Sequence, residues 1–475
     1  MDINSPLYLR TNNDKSSCGD ISDMYLLVDR SAQAGFHLIQ FTPIQDTVNP
    51  SPFMGISLFS FNPIFLDTRS LGIERRLRHN RPNIVDYRGS VRQKRQILKR
   101  LYESQHPDIK IPLYDRQIVA YAVFKVLKNR FKRAWVNWPG IFSSGDVDRI
   151  LAKHQGLYER VKFELFIQDI MAKQWKDLAN YARKKGIRFV MDKPIYPIYD
   201  SAEVWANQGL FYLNPDGTLK CESGCDNPRD PFGRQKWGHA VFRFKEKPEE
   251  VVAYYIESIR HLVSISPVVR FDHALALSWK YYLIDKKTDK GRHIEALKSC
   301  FFGPVRKAFP DVLFVADDLG HSSKKIDKLL RDHGVFGIRC LQWVHTTRHR
   351  EIEKYPRLSI AATSTHDTDS LGAWWKKLSH DERRVYFKKM TISRRLRCKK
   401  IRISLDQMTK ETISLMFNSR SQIATVGLRD LLGDLRRYNN PGHKNRTNWR
   451  IRSTVLIGEM DFSFIESIIK NSKRN

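Results

Sequence analysis

Arg270, Asp272 and His273 lie within four positions of one another at the end of a short apolar run, in VRFDHALAL at residues 269–277. A carboxylate next to a guanidinium and an imidazole can act as a nucleophile at carbon or move a proton. Three more aspartates share this setting: Asp192 ends IRFVMD, Asp317 follows DVLFVA, and Asp367 stands beside His366 in TSTHDTD. A lone aspartate after a strand serves equally well as a turn residue or helix cap. It is the recurrence that points to chemistry.

The elements that must hold these residues repeat one pattern. SDMYLLVDRSAQAG has helical apolar spacing and a terminal glycine, and FHLIQF then reads as a buried strand. The same order returns in QWKDLANYARKKG with IRFVMD, in VVAYYIESIRHLVSIS with VVRFDH, in CFFGPVRKAFP with DVLFVADD, and in KKIDKLLRDHG with VFGIRCLQW. PRLSIAATSTHD supplies a further strand. Such alternation predicts an α/β fold of parallel strands with helical crossovers. A (β/α)8 TIM barrel collects the C-terminal ends of all its strands in one ring, whereas an open sheet gathers fewer at one crevice. Four aspartates at four strand ends therefore favour the barrel. We expect a single catalytic barrel domain over residues 1–475, with long insertions around 43–63, 68–115 and 199–250 forming subdomains about its C-terminal mouth.

Bulk properties narrow the function. The composition is globular, with 41% hydrophobic and 28% charged residues, and no apolar run is long enough to span a membrane. The first residues, MDINSPLYLR, lack the pattern of a signal peptide, so the expected location is cytoplasmic, with no membrane partner. The six cysteines are scattered, and the one close pair, Cys221 and Cys225, lacks the second pair of a zinc site, so no metal is expected. No glycine-rich phosphate loop opens a helix, which leaves a nucleotide cofactor without support. A net charge of +31 attracts polyanions in general, but no nucleic-acid-binding motif accompanies it, so no specific nucleic acid is expected.

Several segments taken together resemble glycoside hydrolase family 77, the 4-α-glucanotransferases known as amylomaltases or disproportionating enzymes. These are VRFDHALAL, VADDLG, TSTHDTD, SPFMGISLFSFNP, KPIYPIYDSAEVWANQGLF and NNPGHKNRTNW, in family order along nearly the whole chain. The resemblance implies transfer of α-1,4-glucan segments between malto-oligosaccharides by a retaining double displacement, without cofactor or metal. It implies that Asp272 is the nucleophile, that Asp317 is the acid/base, and that Asp367 holds sugar hydroxyls in the transition state. Arg270 would keep Asp272 ionised, and His273 and His366 would donate to hydroxyls of the sugar ring. The substrate-side residues implied are Trp237, Asp200, Ser51, Phe53, Gln235 and Asn439, with capping of the following helix a second explanation for Asp200.

The sequence also departs from the family. Asp317 stands where the family carries glutamate, and Phe53 and Met54 replace a Tyr-Gln pair. Ala274 and Leu275 follow the nucleophile in place of Phe-Arg, and His239 replaces an asparagine. An aspartate is one methylene shorter, so its carboxyl reaches about 1.5 Å less far. The expectation is a 4-α-glucanotransferase, with reduced activity if that reach is not recovered. The alternative is a noncatalytic glucan-binding or regulatory protein on a degenerate barrel.

Overall fold

Asp20 and Asp23 form a capping box, each side chain accepting from the other's end of the first turn, and this starts the helix Ile21–Gln33. Gly35 then takes a φ of 81°, which lets the chain leave the helix and enter strand β1 (Leu38–Phe41). The computed structural model describes residues 1–10, 18–73, 83–226, 233–319, 323–343, 352–389, 404–441 and 446–472, without the side chains at 343, 353 and 387–389.

The strands that follow are β2 (Arg188–Lys193), β3 (Cys221–Cys225), β4 (Gln235–Ala240), β5 (Val268–Phe271), β6 (Lys280–Asp285), β7 (Gly291–Glu295), β8 (Leu313–Ala316), β9 (Val335–Cys340), β10 (Ser359–Ala362) and β11 (Ile423–Thr425). Seven form a parallel sheet in the order β1-β2-β5-β8-β9-β10-β11. Helices Tyr158–Lys184, Pro248–Val263, Ser299–Ala308 and Lys324–Asp332 precede β2, β5, β8 and β9. The sheet closes on itself through the first residues of the chain. Asp2 bridges Gly427, just past β11, and Gln40 of β1, with its N–H donating to Val426 at 2.9 Å and the Ile3 N–H donating to Gln40 at 3.0 Å. The eighth stave of the barrel is thus a single bridging residue.

Alternation along the strands sorts the core. Val190, Val268, Val315, Ile338, Ile360 and Ala362 pack together as one small cluster on the inner face of the sheet. Their neighbours Phe189, Met191, Val269, Phe271, Phe314 and Ala316 join the larger clusters packed under the helices. Two residues beyond Val190, Val268 and Val315 come Asp192, Arg270 and Asp317, which the period of two puts on the same inner side. A polar layer therefore lies directly above an aliphatic one.

A second sheet, antiparallel in the order β4-β3-β6-β7, is made from strands on both sides of β5. Helices Tyr87–Gln105, Arg116–Phe131 and Val147–Lys153 fill much of the stretch between β1 and the helix Tyr158–Lys184. Among the described residues, no helix is long and apolar enough to cross a membrane.

Candidate active site

Arg270 is fully buried, and its guanidinium is shared between two carboxylates, Asp192 and Asp317. Backbone register makes this pairing unavoidable. Asp192 of β2 stands directly opposite Arg270, and Arg270 stands opposite Val315, two residues before Asp317. Arg270, expected to keep Asp272 ionised, gives its hydrogen bonds to Asp192 and Asp317 and none to Asp272. The reason is that Asp272 lies past the end of β5, where its N–H donates to the Lys193 carbonyl at 3.0 Å. His273 then takes a left-handed φ of 41° and turns the chain into the short helix Leu275–Ser278. Such a conformation costs a histidine on the order of 1 kcal/mol or more. The ladder continues past the strand ends, with the Asp317 N–H donating to Phe271 at 3.0 Å and the Ala274 N–H donating to Asp317 at 2.9 Å. Asp272 and Asp317 are thereby carried on adjoining backbone.

Asp192, Asp272 and His366 bring a side-chain oxygen or nitrogen each to within 4.8 Å of one another. Burial, reinforced by the neighbouring Asp192 and Asp317 charges, pushes the Asp272 carboxyl well above the ordinary carboxylate range against the pull of Arg270 and His366. Burial likewise raises Asp192 to about 6, although Arg270 and His366 oppose the shift. The same three residues have the spacing to hold a metal ion, but the Arg270 guanidinium and the His366 imidazole stand in the cluster and oppose a second cation there.

On the other side of this cluster, His366 Nε2 lies 3.3 Å from the Asp367 carboxylate, and Asn439 Nδ2 donates to the other Asp367 oxygen at 2.6 Å. Burial would lower the His366 pKa, but Asp367 outweighs it and raises the imidazole to about 9. Burial would raise Asp367, yet His366 and Asn439 hold it at about 2. The outcome is an imidazolium–carboxylate pair at neutral pH. Phe53 packs against His366 with ring centroids 5.0 Å apart, and Trp449 meets both, at 5.6 Å from Phe53 and 5.7 Å from His366. Arg437 donates to the Asp367 carbonyl at 2.5 Å and to the Asn439 carbonyl at 2.7 Å, tying the two loops together.

Trp237 and Gln235 come from β4. The indole N–H donates to Gln235 Oε1 at 3.1 Å, and the ring meets His273 edge-on with centroids 4.8 Å apart. Burial lowers His273 to about 4, so it is neutral at pH 7 and can both donate and accept. The loop before Trp237 lies outside the described residues at 227–232, as does 442–445 in the C-terminal motif.

Ser51 and Asp200 are not joined to this constellation by any described contact. The Ser51 N–H donates to Asn49 Oδ1 at 2.8 Å. Asp200 pairs with Lys128 and accepts from the Trp135 N–H at 3.2 Å, while Ser201, not Asp200, caps the helix Ala202–Ala206. Asp192, Trp449 and Arg437 also belong to the constellation, and the family resemblance gives none of them a role. Asp192 had been noted at a strand end, and Trp449 closes the NNPGHKNRTNW motif, so both carried a signal; for Arg437 the signal was only its position two residues before Asn439.

Aspartates on the ends of β2, β5, β8 and β10, gathered over one mouth of a parallel barrel, define a barrel enzyme that works at that mouth. A family model for the 4-alpha-glucanotransferases, glycoside hydrolase family 77, matches residues 6–456, and the chain belongs to that family. It is 27% identical to the 4-alpha-glucanotransferase of Aquifex aeolicus over 458 residues, 91% of each chain. To that of Thermus thermophilus it is 26% identical over 458 residues, 90% of this chain and 89% of the relative. The fold is similar to that of an amylomaltase from Streptococcus agalactiae in complex with acarbose, with a TM-score of 0.82 at 21% identity over 100% of this chain and 99% of the other. Corynebacterium glutamicum amylomaltase gives a TM-score of 0.79 at 16% identity, over 100% of this chain and 75% of the other.

Proposed function

We propose that this protein transfers α-1,4-glucan segments between malto-oligosaccharides, with Asp272 as nucleophile and Asp317 as acid/base. The observation that carries the reading is the adjoining backbone of these two aspartates beside a buried Arg270, in a chain of this family. In the first step an Asp272 oxygen attacks the anomeric carbon, while a proton from Asp317 leaves with the glycosidic oxygen of the departing glucan. In the second step Asp317 takes the proton from the 4-hydroxyl of an acceptor glucan, and that oxygen displaces Asp272. Net configuration is retained.

The other groups position the sugar. Asp367, kept ionised by charged His366, accepts hydrogen bonds from ring hydroxyls, and His273 and Trp237 border the same space with a neutral imidazole and a flat ring. The segments around 43–63, 68–115 and 199–250 belong to one catalytic domain and wall the glucan cleft, where Ser51, Phe53, Gln235, Asn439 and Asp200 contribute contacts.

Incubation with maltotriose tests the function. The expected products are glucose and a ladder of longer maltodextrins. Glucose and maltose without longer chains would indicate hydrolysis, and an unchanged trisaccharide would favour the noncatalytic alternative.

The raised carboxyls predict the pH dependence. The nucleophile works only as a carboxylate, so activity falls as pH drops through the elevated Asp272 value, and the acid limb of kcat/KM lies above the ordinary carboxylate range. Asp192→Asn removes a like charge and frees a guanidinium donor, so the acid limb is expected to move to lower pH. A pH profile of maltotriose turnover for both proteins checks this; an unmoved limb would mean that Asp192 does not act on Asp272. Above about pH 9, loss of the His366 charge is expected to weaken sugar binding and appear first in KM.

A further inference from the structure

Gly337 and Arg339 of β9 alternate with Ile338, which packs inside the barrel, so they lie on its outer flank. A cleft of about 700 Å³ opens there, between the helix Lys324–Asp332 and the segment leading into β10. That size suits a metabolite.

The lining has a definite chemistry. Gly337 of β9 has no side chain, and a Cβ there would come within 2.9 Å of Arg339, so Gly337 and Arg339 form a shallow floor. Arg339 is already satisfied: one guanidinium nitrogen donates to both Asp318 oxygens, at 3.0 and 2.9 Å, and to the Ile338 carbonyl at 2.7 Å, and the other donates to Asp327 at 2.7 Å. Three more cations line the cleft, Lys324, Arg331 and Arg357, all exposed, and no hydrogen bond or ion pair engages their side chains among the described residues. Leu330 and Leu358 add an apolar wall. A neutral glucan offers nothing for three unpaired cations. A phosphoryl group offers two charges and three acceptor oxygens, and guanidinium forks match it closely. The apolar wall suits the ring of the group that bears it.

We propose that this flank cleft binds a phosphate monoester of metabolite size, its phosphoryl group held by Lys324, Arg331 and Arg357. The proposal is independent of the glucanotransferase reading.

Isothermal titration of the full-length protein at about 0.15 M salt tests it, because at that ionic strength the diffuse charge is largely screened. The probes are inorganic phosphate, glucose 6-phosphate and adenosine 5′-monophosphate, so that the arms separate the free anion, a sugar ester and a nucleotide. One-to-one saturable binding of at least one ester, tighter than that of inorganic phosphate, is expected. Arg331→Ser combined with Arg357→Ser should weaken it about a hundredfold, the loss of two charge-assisted contacts. Arg160→Ser with Arg183→Ser, which removes the same charge from exposed positions of the helix Tyr158–Lys184, should leave it unchanged. Maltotriose turnover equal to wild type shows that both double variants fold. Absence of saturable ester binding, equal binding of inorganic phosphate and both esters, or equal weakening by the two double variants would each overturn the proposal.

Discussion

Asp272→Asn is expected to lower maltotriose turnover by about four to six orders of magnitude, because the amide has no charge to attack the anomeric carbon. Folding should not suffer. The Asp272 carboxylate is held against burial and against two neighbouring like charges, so a neutral isostere relieves that cost and the unfolding temperature should stay level or rise. Malto-oligosaccharide binding should persist, since Asp367, His366, Asn439 and the aromatic group at Phe53 and Trp449 are untouched. Product analysis together with calorimetric titration separates the two effects. Turnover above a hundredth of wild type would remove Asp272 from the mechanism.

Asp317 carries the second large effect. One of its oxygens accepts from Arg270 and the other from the Leu319 N–H at 3.2 Å, so the short side chain is held back toward the strand ends. If proton delivery is limited by reach, Asp317→Glu adds about 1.5 Å and should raise kcat/KM by about tenfold to a hundredfold. Asp317→Ala should lower it by at least about a hundredfold, and more for substrates with poor leaving groups. Steady-state kinetics with maltotriose and with a maltosyl fluoride, whose leaving group needs little protonation, distinguishes proton transfer from general damage. Equal losses on both substrates would mean that Asp317 acts by holding Arg270, not by delivering the proton.

The repeated helix–strand unit is legible because apolar period and a terminal glycine agree locally at β1, β2 and β9, where Gly35, Gly186 and Gly334 end the helices, while β5 and β8 are marked by apolar period alone. Other elements carry no such local signal. β11 is only three residues long, and the Asp2 stave is one bridging residue whose pairing is decided by the closed barrel. The antiparallel sheet was missed because CESGC and GRHIE are polar or glycine-containing, and their pairing with β6 is tertiary. The helix Tyr158–Lys184 begins well before the QWKDLANYARKKG stretch that signalled it, since its first half packs against other helices and has no single apolar face.

In the site, residue types were legible but their pairing was not. Strand-end position singled out Asp192, Asp272, Asp317 and Asp367. Only the register of β2 against β5 decides that Arg270 meets Asp192, and only the left-handed turn at His273 takes Asp272 beyond its hydrogen bonds. The cluster of Phe53, His366 and Trp449 joins three distant segments, which motif reading lists separately and cannot assemble.

The most direct test of the double displacement is to look for its intermediate. Asp317→Ala, which cannot efficiently deprotonate an acceptor, is mixed with a maltosyl fluoride, quenched in acid, digested and examined by mass spectrometry. The account predicts a maltosyl adduct on the peptide containing VRFDHALAL, fragmenting at Asp272 and absent from the Asp272→Asn, Asp317→Ala double variant. An adduct at any other residue, or fluoride release with no adduct at all, would contradict it.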